Sequence, residues 1–195
     1  EPDIRTNGLL ASSGATRRVG WTTGGGGAFL TDALHYDLNS HTTLNTQRLV
    51  DIALPEESAT SAATKQEPLT LPTSARNLAA LHLAEYEQTG PLVGINPGCG
   101  RSIKQWPTQR FAQLAASMSR LEKATIVLLG AEHERPLTEA IKRSMPAGAN
   151  VVDLVGTSLI ELAGVLERMS VLVTGDTGPM HLAAAVGTPT VALFG

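Results

Sequence analysis

The stretch VTGDTGPMHLAAAVGTPTVALFG, Val173 to Gly195, decides how this chain reads. The apolar run Val171-Leu172-Val173 that leads into it has the look of a buried strand, and Thr190-Val191-Ala192-Leu193-Phe194 of another. Between them stands a helix with clear punctuation. Asp176, Thr177 or Gly178 can cap its start, Pro179 suits the first helical position, and Gly187 followed by Pro189 suits its stop. The result is a strand–turn–helix–strand unit. Its turn sits at the carboxyl end of a strand in a parallel sheet, which is where open α/β sheets bind ligands.

The same pattern extends backward as far as Leu92. LVGINPG reads as a strand entering a Gly/Pro turn, Pro107–Leu121 as a helix, ATIVLLG as a buried strand and Glu134–Met145 as a helix. NVVDLVG reads as a short strand. Ser158–Met169 reads as a helix whose Ser158 and Glu161 stand at capping-box spacing. Five strands alternating with four helices predict a doubly wound parallel α/β domain over 92–195. Upstream the signal thins. Arg17–Trp21 reads as a strand entry, Thr22–Gly27 as a glycine-rich loop and Asn45–Leu54 as a helix. The loop lacks the Lys and Ser/Thr of a phosphate-binding P-loop. The Glu, Ser, Thr, Ala and Pro of Pro55–Pro72 read as a linker, followed by a helix over Ser74–Gly90. The expected division is a first domain over 1–55, a linker and connecting helix over 56–91, and a second domain over 92–195. With no initial Met and an apolar strand at its end, the sequence reads as a piece of a longer protein.

Composition narrows the function classes. The chain has 195 residues, 42% of them apolar, with a formal net charge of -3. Such a balance does not point to nucleic acid, whose binders carry a basic stripe. A single cysteine, Cys99, rules out an internal disulfide framework and fits a cytoplasmic protein. No run of 18 apolar residues calls for a membrane span, which leaves room for peripheral membrane contact. No Gly-x-Gly-x-x-Gly follows a strand, which argues against a nicotinamide-dependent dehydrogenase.

If the strands are parallel, four loops share one edge: Asn96–Pro107, Gly130–Pro136, Val155–Leu159 and Gly175–His181. Amides at the start of the last helix, those of Gly178, Met180 and His181, would attract an anion, and Lys104 would add a full charge. Asp176 would repel phosphate and suits sugar hydroxyls. Glu134 suits the hydroxyls of a ribose, as acids do in dinucleotide folds. Taken singly, each has an ordinary reading. Asp176 and Thr177 can be helix caps worth about 1 kcal/mol, His181 a local hydrogen-bonding group, Glu134 a helix-start acid and Lys104 a solvated charge. Trp106 can be a packing residue and Cys99 a passive one. Their convergence at one edge suggests a nucleotide that carries a diphosphate and a second polyol.

Three segments also resemble a known family. GDTGPMHLAAAVGTPTVALFG, NPGCGRSIKQWPTQRFAQLA and LLGAEHE are similar, in order and spacing, to signature segments of the heptosyltransferase family of bacterial glycosyltransferases. The resemblance implies a GT-B fold of two Rossmann-like domains, here a C-terminal doubly wound domain and the tail of a truncated first one. It implies transfer of a heptose from ADP-heptose to the lipopolysaccharide inner core with inversion, at the inner face of the inner membrane, with no cofactor and no metal. By matching positions, Lys104 would meet the diphosphate, Glu134 the ribose and Asp176 the donor sugar. Thr177 and Gly178 would bind the diphosphate, with His181 close by, and Thr157 would stand on the adenine side. The family's general base is an acid near the start of its first domain, upstream of Glu1, so the piece by itself is expected to bind ADP and transfer nothing. Asp32 and Asp37 are not candidates for that role. The alternatives are a GT-B enzyme acting on another nucleotide sugar, as a transferase or an epimerase, and a nucleotide-binding module without activity.

Overall fold

The computed structural model describes residues 3–55, 69–87 and 89–194. The chain divides into two compact units, Glu1–Gln66 and Glu67–Gly195. Most of the expected linker, residues 56–68, lies outside the described residues.

In the first unit, helix α1 (Ile4–Ser12) precedes strand β1 (Val19–Trp21), which pairs in parallel with β2 (Asp32–Leu34), and α2 (Thr42–Ala53) follows. The strand entry and the second helix stand where the sequence puts them. The glycine-rich loop has Gly25 and Gly26 at φ 86° and 72°, a left-handed backbone that glycine adopts without strain. Two buried asparagines hold the unit's loops. Asn7 Nδ2 donates to the carbonyls of Trp21 and Gly25 at 3.0 and 2.8 Å. Asn45 Nδ2 donates to the carbonyls of Asp37 and Ser40 at 2.8 and 3.3 Å, and its Oδ1 accepts from the Asp37 amide at 3.1 Å.

The second unit is built on a five-stranded sheet of order β5-β4-β3-β6-β7, every pair parallel. Its strands are β3 (Leu92–Asn96), β4 (Thr125–Leu128), β5 (Val151–Asp153), β6 (Val171–Gly175) and β7 (Thr190–Leu193). Between and before them run α3 (Thr73–Leu83), α4 (Thr108–Leu121), α5 (Arg135–Arg143), α6 (Leu159–Glu167) and α7 (Gly178–Ala185). Parallel strands covered on both faces read as unbroken apolar runs. Accordingly every residue of β3 and β4 is buried. One face of the sheet packs Leu92, Val127, Leu129 and Leu172 under α3 and α6; the other packs Val93, Ile95, Ile126 and Leu128 under Phe111 of α4 and Ile141 of α5.

The helix expected as part of a connector belongs to this second unit. Ala75, Ala79 and Leu83 of α3 are fully buried. A Cβ on Gly164 of α6 would stand 2.2 Å from the Ala75 carbonyl oxygen, so the two helices approach as closely as they do because no side chain intervenes. Arg76–Glu167 at 2.8 Å and His82–Glu161 at 2.9 Å flank the contact. In the sequence, the buried stripe of α3, two alanines and a leucine, resembles that of a solvent-facing connector.

Candidate nucleotide-binding cleft

The sheet order reverses direction between β3 and β6. Chain from β3 leaves toward β4 on one side, and the crossover returns to β6 on the other. Open sheets of this kind leave a crevice at such a point, beyond the carboxyl ends of the strands. A cleft of about 440 Å³ lies there, with Asn96, Glu134, Thr157, Asp176, Thr177 and Gly178 among its walls. Five of the seven residues expected at a donor site therefore share one cavity.

Lys104 joins them by an ion pair. Its Nζ lies 2.8 Å from Asp176 Oδ2, which binds the loop after β3 to the loop after β6 across the cleft. This bond, and then the Lys104 charge, hold the Asp176 carboxyl below its ordinary value of 3.8, with His181 adding to the effect. His181 itself is exposed on the first turn of α7 and is not among the walls. Trp106 packs edge-on against Phe111, with ring centres 4.9 Å apart, and so anchors the loop that carries Lys104. Cys99 is half-buried among the walls, its Sγ 4.0 Å from the Asp176 carbonyl oxygen.

Glu134 is placed by glycines. Its Oε2 accepts from the Ala131 amide at 2.8 Å, closing the turn after β4. A Cβ at Gly98 would fall 1.7 Å from Glu134 Oε1, so the carboxylate occupies space that any other residue at 98 would fill. Gly130, at φ 157°, lets the chain leave β4 in the direction the turn needs. Arg135 fixes the neighbouring loop: it binds Glu132 through two contacts of 2.7 Å and donates to the Val155 carbonyl at 3.2 Å.

The start of α7 differs from the expectation in one respect. Thr177 is the N-cap, but its side chain makes no capping bond, and the Met180 amide turns back onto the Thr177 carbonyl at 3.1 Å. Met180 is thus withdrawn from the set of amides offered to an anion, because the first turn is wound tighter than an ideal α-helix. The Thr177 hydroxyl instead sits 3.2 Å from both Asn96 Nδ2 and Thr174 Oγ1. Asn96 was not singled out in the sequence, where it reads only as the polar end of a strand before Pro97.

In the first unit, Asp32 and Asp37 serve local structure. Asp32 accepts from Thr31 at 2.8 Å and pairs with Arg17 at 3.2 Å. Asp37 accepts from Ser40 at 2.7 Å and from the Asn39 amide at 2.9 Å. Both carboxyls lie below their ordinary value, chiefly through the Thr31 and Ser40 hydroxyls respectively, which is the wrong direction for a base.

A parallel sheet with a polar cleft at its reversal, in a chain that carries a second α/β unit, fits the GT-B class of glycosyltransferases, and the solved structures it superposes on share that fold. The family model described as glycosyltransferase family 9 (heptosyltransferase) matches residues 8–195, and the chain belongs to that family. It is 34% identical over 109 residues to lipooligosaccharide heptosyltransferase 2 of Haemophilus influenzae, a match covering 54% of this chain and 31% of that protein. Among solved structures, it superposes on a glycosyl transferase family 9 protein from Veillonella parvula with a TM-score of 0.70 at 23% identity, covering 98% of this chain and 54% of the other. An E. coli heptosyltransferase solved with ADP-2-deoxy-2-fluoro heptose gives 0.57 at 23% identity, covering 85% and 48%. The chain therefore spans about a third to a half of the length of the relatives it matches. Among the described residues, no helix is long and apolar enough to cross a membrane.

Proposed function

We propose that the second unit holds the donor side of a heptosyltransferase, which moves a heptose from ADP-heptose to the lipopolysaccharide core with inversion at the inner face of the inner membrane. The first unit contributes to the acceptor side. The observation that carries this reading is the meeting of Lys104, Glu134, Asp176, Thr177 and Gly178 around one cleft of about 440 Å³ at the reversal of the sheet. That volume lies within the usual range for a small-molecule site.

In this reading Glu134 accepts the ribose hydroxyls, Thr157 lies on the adenine side and Asp176 accepts hydroxyls of the sugar. Lys104, Thr177, Gly178 and the start of α7, with His181 close by, bind the diphosphate. As the sugar leaves, negative charge builds on ADP, and Lys104 with the helix dipole stabilises it more than it stabilises the bound donor. The Lys104–Asp176 pair keeps the cation beside the cleft, tied to the loop that leads into α7. No residue of this chain is assigned as the general base. Titration of the chain with ADP, UDP and GDP by calorimetry tests the proposal. Preference for ADP supports it; equal affinity for all three, or no binding of any, overturns it.

A further inference from the structure

We propose that Asn96 is a positioning residue, acting through Thr177 to set that threonine's hydroxyl as a hydrogen-bond donor to an anion in the cleft. The inference rests on reading the cleft as a nucleoside diphosphate site.

Asn96 closes β3, is 2% exposed, and stands in register with Thr174 on β6. Its Nδ2 donates to Thr174 Oγ1 at 2.9 Å and to Thr177 Oγ1 at 3.2 Å. Its Oδ1 is, among the described residues, the one buried side-chain polar atom without a partner. A buried amide that gives both hydrogens to hydroxyls and leaves its carbonyl empty is costly, and native structures keep few such atoms without a reason.

Counting protons supplies the reason. The Thr174 hydroxyl has an acceptor of its own in the Gly175 carbonyl at 3.2 Å. The Thr177 oxygen accepts from Asn96, so its single proton is left for Thr174 Oγ1 or for the cleft, whose wall Thr177 forms. A phosphate oxygen is much the stronger acceptor of the two. With the amide turned the other way round, its carbonyl would draw the Thr177 proton inward and leave a lone pair facing the anion. The orphaned Oδ1 is therefore the cost of presenting a donor, and not an acceptor, to negative charge.

A double-mutant cycle on this chain tests the proposal, with ADP affinity read by calorimetry and folding by the melting temperature. Asn96→Leu and Thr177→Val should each weaken ADP binding about tenfold, the worth of one hydrogen bond to a charged group. The double variant should bind no more weakly than either single one. Unchanged ADP affinity in Asn96→Leu overturns the proposal. So do losses that multiply in the double variant, since Asn96 would then act by a route other than Thr177. Asn96→Ala replaces Asn96→Leu in the same cycle if the leucine prevents folding. If the unaltered chain binds no ADP, the reading of the cleft fails and this inference falls with it; if only the cycle fails, the cleft reading stands.

Discussion

Asn45 in the first unit and Asn96 in the second are both buried side-chain amides near a turn, and they are used in opposite ways. Asn45 is fully enclosed and binds only main chain with its amide hydrogens, donating to two carbonyls while its own oxygen takes an amide hydrogen. Asn96 donates to two hydroxyls, and its oxygen goes without. Asn45 holds a loop in place, in the manner of a turn. Asn96 orders groups that line a cleft and is left unsatisfied in doing so. Where a fold leaves a buried polar atom unsatisfied in this way, the place to look is a site, not a scaffold.

The largest expected effect breaks that contrast directly. Asn45→Leu should lower the stability of the first unit by roughly 3 kcal/mol, because several main-chain groups lose their partner inside the protein. Asn96→Leu should change the second unit by less than about 1 kcal/mol, since it removes an orphan along with two bonds. Denaturant unfolding checks both. The chain has two tryptophans, Trp21 in the first unit and Trp106 in the second, so each unit has its own fluorescence. Equal losses for the two substitutions would erase the distinction.

Within the cleft, Lys104→Ala should weaken ADP binding by about tenfold to a hundredfold, in line with the loss of a charge-assisted contact of roughly 1.5–3 kcal/mol. Gly98→Ala should have a smaller effect of about tenfold, since the new methyl pushes the Glu134 carboxylate off the Ala131 amide while leaving the sheet intact. Calorimetric titration with ADP measures each, and an unaltered affinity in Gly98→Ala would remove Glu134 from the ribose. The smallest effect concerns pH. Because the folded Asp176 carboxyl titrates below its ordinary 3.8, the stability from its pair with Lys104 is fully present above that value and is lost as pH falls through the lowered one. The difference in melting temperature between the chain and its Asp176→Asn variant should therefore be level near neutrality and shrink in acid below 3.8.

Much of this arrangement is legible in the sequence because it is local. Strand and helix periodicity, Pro179 at a helix start and Gly187 past its end each act within a few residues, and they place all five strands and four helices after Leu92. The loops that carry Lys104, Glu134 and Asp176 then follow from the parallel alternation alone. What stays hidden depends on distance along the chain. The Lys104–Asp176 pair joins residues 72 apart, and Gly164 is required only because Ala75 of another helix presses on it. Asn96 is the clearest case. Nothing beside it in sequence marks it, since its partners Thr174 and Thr177 arrive by the pairing of β3 with β6. Met180 misled for the reverse reason: helix starts are read as ideal, and this one is tightly wound.

The reversal of the sheet between β3 and β6 also carries a kinetic meaning. The two lips of the cleft come from strands that are neighbours in the sheet but far apart in the chain, so bringing them together closes a long loop, which is slow. Any ligand that bridged the two lips would bind the paired strands and not the separated ones, and would therefore stabilise the folded unit by mass action.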